Sequence, residues 1–176
     1  TKRPALITFT NGYHGRSYMG MALSARMIPF KQGFGPFPSD IYRLPFPDDF
    51  HGISLEDTKR AFDTLFRSDC PPDHIAAIFF EPVQGEGGYN IATPEFVEYL
   101  RDLCDAHGIV LVADEIQSGM GRTGKMFAME HFGIHPDLSC VGKSIGGGLP
   151  ISGVVGRADI IDTVPPGGLG GTFGGN

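Results

Sequence analysis

The sequence predicts an α/β domain built on a mainly parallel sheet with helices on both faces. Three observations carry this. Short, uniformly apolar runs such as Ile75-Ala76-Ala77-Ile78-Phe79-Phe80 alternate with stretches of helical period, as strands covered on both faces do. Each run ends in polar or glycine residues, the pattern of strands feeding loops at one edge of a sheet. The 26 glycines and 14 prolines gather around those ends, so they read as shaped loops rather than disorder.

Taken in order, Ala5 to Phe9 is a short apolar strand, followed by a sharp glycine-bracketed turn through Tyr13-His14. Residues 25 to 50, rich in Pro, Phe and Gly without a sustained period, read as a long ordered loop touching a partner subunit or the substrate entrance. Leu55, Ala61, Phe62, Leu65 and Phe66 share one face of a helix that closes before Cys70-Pro71-Pro72. Ile75 to Phe80 is the buried strand, ending in Glu81-Pro82-Val83-Gln84-Gly85-Glu86-Gly87-Gly88. Thr93-Pro94-Glu95 opens a second helix, with threonine as N-cap and proline in the first turn, and Gly108 stops it. Ile109 to Ala113 is the next strand, ending in Asp114, then a glycine turn over 119–124 and a short helix from Met126 to His131. Leu138 to Val141 is a strand leading into Lys143, Ile151 to Val155 another, and Ala158 to Asp162 a helical turn.

At 176 residues, 41% hydrophobic and 19% charged, the chain suits one globular domain with its own core. A net charge of -6 without a basic run excludes nucleic acid and anionic membrane as natural partners. Cys70, Cys104 and Cys140 are odd in number and far apart, which suits a reducing compartment and argues against disulfides or a structural zinc site. The expected location is cytoplasmic, with organellar targeting upstream of Thr1 left open. Because the chain opens directly on a strand and stops after a glycine-rich turn, a partial domain is expected over 1–176, with segments of a longer protein on either side.

The chemistry gathers at two places. Lys143 sits in a glycine-rich loop after an apolar run, and Asp114 ends an apolar strand. A pyridoxal-phosphate enzyme needs such a pair: an amine to form a Schiff base and a carboxylate to hold the pyridinium proton. Tyr13-His14 reads either as an aromatic face that stacks on a planar cofactor or as a turn with a half-buried tyrosine. Glu81 and Glu86 lie beyond a strand's carboxyl end, where open α/β sheets bind ligands, although paired acids there are often only solvated. Other signals fail. Gly142-Lys143-Ser144 has Asp137 where a P-loop needs glycine; His131 and His135 are separated by Gly133 and followed by Pro136, so no metal site is expected; and no nucleophile elbow exists.

With Tyr13-His14-Gly15-Arg16, the Glu81 to Gly88 block, Asp114-Glu115-Ile116-Gln117-Ser118-Gly119-Met120-Gly121-Arg122-Thr123-Gly124 and Gly142-Lys143-Ser144-Ile145-Gly146-Gly147-Gly148-Leu149-Pro150, the chain resembles the class III aminotransferases. These are pyridoxal 5′-phosphate enzymes of fold type I. Within the class it looks most like the enzymes acting on 4-aminobutyrate, with the acetylornithine and ornithine enzymes close behind. The resemblance implies that Lys143 carries the cofactor and moves the proton, Asp114 keeps the ring nitrogen protonated, and Gln117 bonds the phenolic oxygen. It also implies that Tyr13 stacks on the ring with His14 beside it, and that Thr172 reaches the phosphate of a neighbouring subunit's cofactor. Glu81 is expected near the substrate, and Glu86 paired with an arginine of a C-terminal domain. The implied activity is transfer of an ω-amino group to 2-oxoglutarate by a homodimer or higher homo-oligomer with shared sites. An aminomutase fits the Gln117 to Gly124 run less well, and a non-catalytic remnant has no need for Lys143, Asp114 and Gln117 together.

Overall fold

The computed structural model describes residues 1–171. Its centre is a six-stranded sheet of β1 (Ala5–Phe9), β2 (Ile41–Leu44), β3 (Ile75–Phe80), β6 (Val110–Asp114), β7 (Leu138–Val141) and β8 (Gly153–Gly156), in the order β2-β1-β3-β6-β7-β8. Every neighbouring pair is parallel except β7 with β8. Two short strands, β4 (Val83–Gln84) and β5 (Asn90–Ile91), form a separate antiparallel ribbon beyond the end of β3.

The helices follow from capping chemistry and apolar spacing. In α2 (Leu55–Ser68), Ser54 and Asp57 satisfy each other's backbone N–H groups in a reciprocal cap. Thr93 caps α3 (Pro94–His107), and Gly108 ends it at φ 61°, a left-handed position that glycine takes without steric cost. Phe62 and Leu65 of α2 and Phe96, Val97 and Leu100 of α3 join Ile7, Phe9, Ile75, Ile78 and Phe80 of the sheet in one buried cluster. At its heart Phe9 meets Phe96 edge-on at 5.2 Å, and Phe46 meets Phe96 the same way at 5.2 Å. Each such ring buried from water stabilises the fold by about 1.5–3 kcal/mol. Because successive strand residues face opposite ways, Phe79 points to the other side of the sheet, where it meets the edge of His14.

The expected elements form, with local shifts. The loop expected over 25–50 contains β2, a four-residue edge strand whose partly buried residues leave no clear alternation. The turn after β1 continues into α1 (Tyr18–Leu23), capped by Ser17 and too short for a helical period to show. The short helix expected from Met126 is a single tight turn over Ala128–His131. The last strand begins at Gly153 rather than Ile151, and α4 (Ala158–Ile161) follows it. Among the described residues no helix is long and apolar enough to cross a membrane.

Candidate active site

The parallel register brings the carboxyl ends of β1, β3, β6 and β7 to one edge of the sheet. The loops that begin at Thr10, Glu81, Glu115 and Gly142 therefore meet there. Between them lies a hollow of about 60 Å³, lined by Tyr13, His14, Glu81, Asp114, Gln117 and Lys143. A second hollow of about 250 Å³ adjoins it, with Gln117 shared between the two and Arg122 and Tyr89 on its far wall.

Asp114, the last residue of β6, is the fixed point. Its Oδ2 accepts from His14 Nδ1–H at 2.8 Å, and its Oδ1 from the backbone N–H of Ile116 at 3.2 Å. His14 is held from two further directions: its Nε2 lies 3.2 Å from the buried Thr8 hydroxyl, and its backbone N–H donates to Ser24 Oγ at 2.9 Å. Both side chains of this hydrogen-bonded pair are nearly inaccessible, at 5% and 8% exposed. A carboxylate oxygen offers two lone pairs, so each oxygen of Asp114 keeps one acceptor position.

Glu81 forms the next wall. Its Oε2 accepts the backbone N–H of Tyr13 at 2.8 Å and its Oε1 that of Gly85 at 3.3 Å. Burial pushes this carboxyl from 4.5 up to about 7, with the nearby Asp114 adding to the rise, while the Tyr13 N–H and His14 pull against it. Tyr13 is propped by Phe30, ring to ring at 4.9 Å, and its hydroxyl accepts from Arg16 Nε at 3.2 Å. Opposite, the Gln117 amide presses on the backbone of Gly85: a Cβ there would lie 2.1 Å from Gln117 Oε1.

Lys143 enters from the β7 side, exposed, with φ at 45°. A lysine in the left-handed region stores backbone strain, a feature that clusters at functional sites. Its loop is tied to the far wall by Arg122 Nε, which donates to Ser144 Oγ at 2.9 Å.

Six of the eight expected site residues thus share one hollow. Glu86 does not line it; it is exposed on the turn between β4 and β5. Thr172 lies outside the described residues. Sequence reasoning missed three contributors. Thr8 is buried inside a strand, Gly85 matters through its N–H to Glu81 and the side chain that leans on it, and Glu115 was passed over beside its more conspicuous neighbour. A doubled acid at the end of an apolar strand, with one residue facing each way, was the available signal for Glu115.

The family model for Aminotransferase class-III matches residues 1–176. The chain belongs to that family. It is 51% identical over 176 residues to a 4-aminobutyrate aminotransferase of Escherichia coli and 49% identical to a 5-aminovalerate aminotransferase of Pseudomonas putida. All of the chain is aligned in each case, but it spans only 41% of the length of these relatives. An ornithine aminotransferase of Toxoplasma gondii, solved with partial occupancy of pyridoxal phosphate at its active site, matches with a TM-score of 0.82 at 33% identity, over 98% of this chain and 37% of its own. An amine transaminase of an uncultivated Pseudomonas species, solved with pyridoxal phosphate bound, gives a TM-score of 0.80 at 28% identity over 92% and 38%. The fold is therefore the fold type I α/β architecture of this family.

Proposed function

We propose that the protein to which this chain belongs is an aminotransferase that moves the terminal amino group of an ω-amino acid to a 2-oxo acid, 2-oxoglutarate foremost. In this reading residues 1–176 are the central part of its cofactor-binding domain, with an N-terminal segment and a C-terminal domain outside them. The observation that carries the proposal is the meeting of an amine, a clamped carboxylate, a tyrosine and an amide around one hollow. Membership of the family makes pyridoxal 5′-phosphate the cofactor, and the residues fit it. Asp114 keeps an acceptor position on each oxygen for a protonated ring nitrogen, and Lys143 stands across the hollow with the free amine.

When bound, the cofactor supplies an electron-poor ring that draws electrons from the amine-bearing carbon of the substrate. Asp114 would hold the proton on the ring nitrogen. His14, fixed between Asp114 and Thr8, keeps that carboxylate from turning away. Tyr13 would cover one face of the ring, and Gln117 would donate from its amide to the phenolic oxygen. Lys143 Nζ would hold the cofactor and, with its amine free, would carry the proton from the amine-bearing carbon of the substrate to the cofactor carbon that receives the amino group. Glu81 ties the Tyr13 wall to the Gly85 wall and flanks the substrate. Glu86, exposed, would pair with an arginine of the C-terminal domain, and Thr172, outside the described residues, would serve the cofactor phosphate of a second subunit, so that the active form would be a homodimer or higher homo-oligomer. The three free cysteines support a cytoplasmic location.

Relatives acting on four- and five-carbon ω-amino acids are almost equally similar, and one methylene is worth only about 1–3 kcal/mol of discrimination. The test is a half-reaction with the whole, cofactor-loaded protein and no 2-oxo acid. 4-Aminobutyrate, 5-aminovalerate, ornithine and N-acetylornithine are added separately while the visible absorbance of the lysine-bound cofactor is followed. Loss of the band with one of the first two is expected. Loss with the ornithine compounds alone would replace the substrate, and no loss with any amine would refute the aminotransferase reading.

A further inference from the structure

Glu115 is the most deeply buried acid of the described residues, 1% exposed, and the mechanism above gives it no part. It follows Asp114 just beyond the end of β6, and its neighbour lines the hollow while Glu115 does not. Its partners are all uncharged donors: Oε2 accepts from Ser118 Oγ at 2.9 Å and from Ala128 N–H at 2.8 Å, and Oε1 from Met129 N–H at 2.9 Å. One side chain therefore closes both ends of the loop that runs from Ile116 to Phe127.

That loop carries two residues to the site. Gln117 lies inside the first turn, which is pinned by Gly119 N–H donating to the Glu115 carbonyl at 2.8 Å. A Cβ at Gly119 would stand 2.8 Å from the same carbonyl, so the turn admits no larger residue. Arg122, midway along the loop, reaches Ser144 beside Lys143. The neck is drawn in by Met120 N–H donating to the Met126 carbonyl at 2.7 Å. A carboxylate is the side chain that suits three converging donors, because it only accepts. An amide of the same size must turn its NH₂ toward at least one of them.

We propose that Glu115 is a positioning residue that sets Gln117 against the cofactor by closing the 116–127 loop. The proposal rests on the cofactor reading above. Its test uses the whole protein, freed of cofactor and titrated with pyridoxal phosphate by equilibrium dialysis. The pH dependence of the visible band is recorded in parallel for the parent, Glu115→Gln, Gln117→Ala and the double variant. Glu115→Gln is expected to weaken cofactor binding about tenfold and to move the midpoint of the band in the same direction as Gln117→Ala. The double variant should bind no worse than Gln117→Ala, since residues acting through one another are not additive. Ser118→Ala, which removes a single donor, should shift both readouts the same way by about twofold to threefold. Should Glu115→Gln fail to fold, parental values in Ser118→Ala would overturn the proposal. So would losses that multiply in the double variant, or a lowered melting temperature with parental affinity and band. A parent that binds no cofactor refutes the underlying reading instead, and is a distinct result.

Discussion

Adding one methyl group at Gly85 separates fold from function at this site. A Cβ built there lies 2.1 Å from Gln117 Oε1, 2.4 Å from its Cδ and 2.7 Å from its Nε2, while the Gly85 backbone stays outside the left-handed region. Alanine is therefore conformationally acceptable, and the whole conflict falls on the end of one flexible side chain. Ordinary contact distances require that amide to retreat by more than about 1 Å. Gln117 is half-buried, so it can swing aside, and the fold should lose less than about 1 kcal/mol, partly offset by the stiffer unfolded chain. In the proposed reading the displaced amide would no longer reach the cofactor's phenolic oxygen. A hydrogen bond to a charged group is worth about 1.5–3 kcal/mol, which corresponds to a loss of roughly tenfold to a hundredfold in cofactor affinity. Equilibrium dialysis of the cofactor-free whole protein, with thermal unfolding of the same samples, reads both quantities. Parental affinity in Gly85→Ala would refute the reasoning, as would a large fall in melting temperature. A Gly85→Ala, Gln117→Ala double variant that binds worse than Gln117→Ala alone would show that the methyl acts on something else.

Glu81 gives a pH signature. Burial raises its carboxyl from 4.5 to about 7, so the folded state holds that proton more tightly than the unfolded chain does. Its contribution is then complete below about pH 4.5 and is lost as pH rises through about 7, a fall of roughly 3 kcal/mol. Glu81→Gln should flatten that part of the stability curve of the cofactor-free protein, measured by urea unfolding at several pH values; an unchanged slope would contradict the assignment. At His14, asparagine can still present an N–H toward Asp114 while phenylalanine cannot. His14→Phe should bind cofactor about tenfold more weakly than His14→Asn, and equal dissociation constants would remove the clamp from the account.

How much of this was legible in the sequence depended on whether a residue's role is local. Phe62 and Phe96 carry their helix assignment in spacing alone, and Thr93 announces a helix start through a cap within three residues. Asp114 stood out because it ends an apolar strand and Lys143 because it follows one in a glycine-rich loop, and the parallel register of β6 and β7 brings the two together. The arrangement around Asp114 was not readable. The His14–Asp114 pair joins residues 100 positions apart, and the Tyr13–Glu81 bond spans 68. Glu81 was expected near substrate, but that its oxygens hold two backbone N–H groups emerges only when β1 and β3 lie side by side. Edge strand β2 and helix α1 were missed because each is too short, and too unevenly buried, to impose a period.

The central claim is that Lys143 is the residue that carries the cofactor. Treating the loaded whole protein with borohydride fixes the cofactor to its lysine, and mass spectrometry of the digested chain then locates it. A phosphopyridoxyl group is expected on the peptide containing Lys143, and its loss, together with the visible band, in Lys143→Ala. The cofactor recovered on another lysine, such as Lys31 or Lys125, or a visible band that persists in Lys143→Ala, would contradict it.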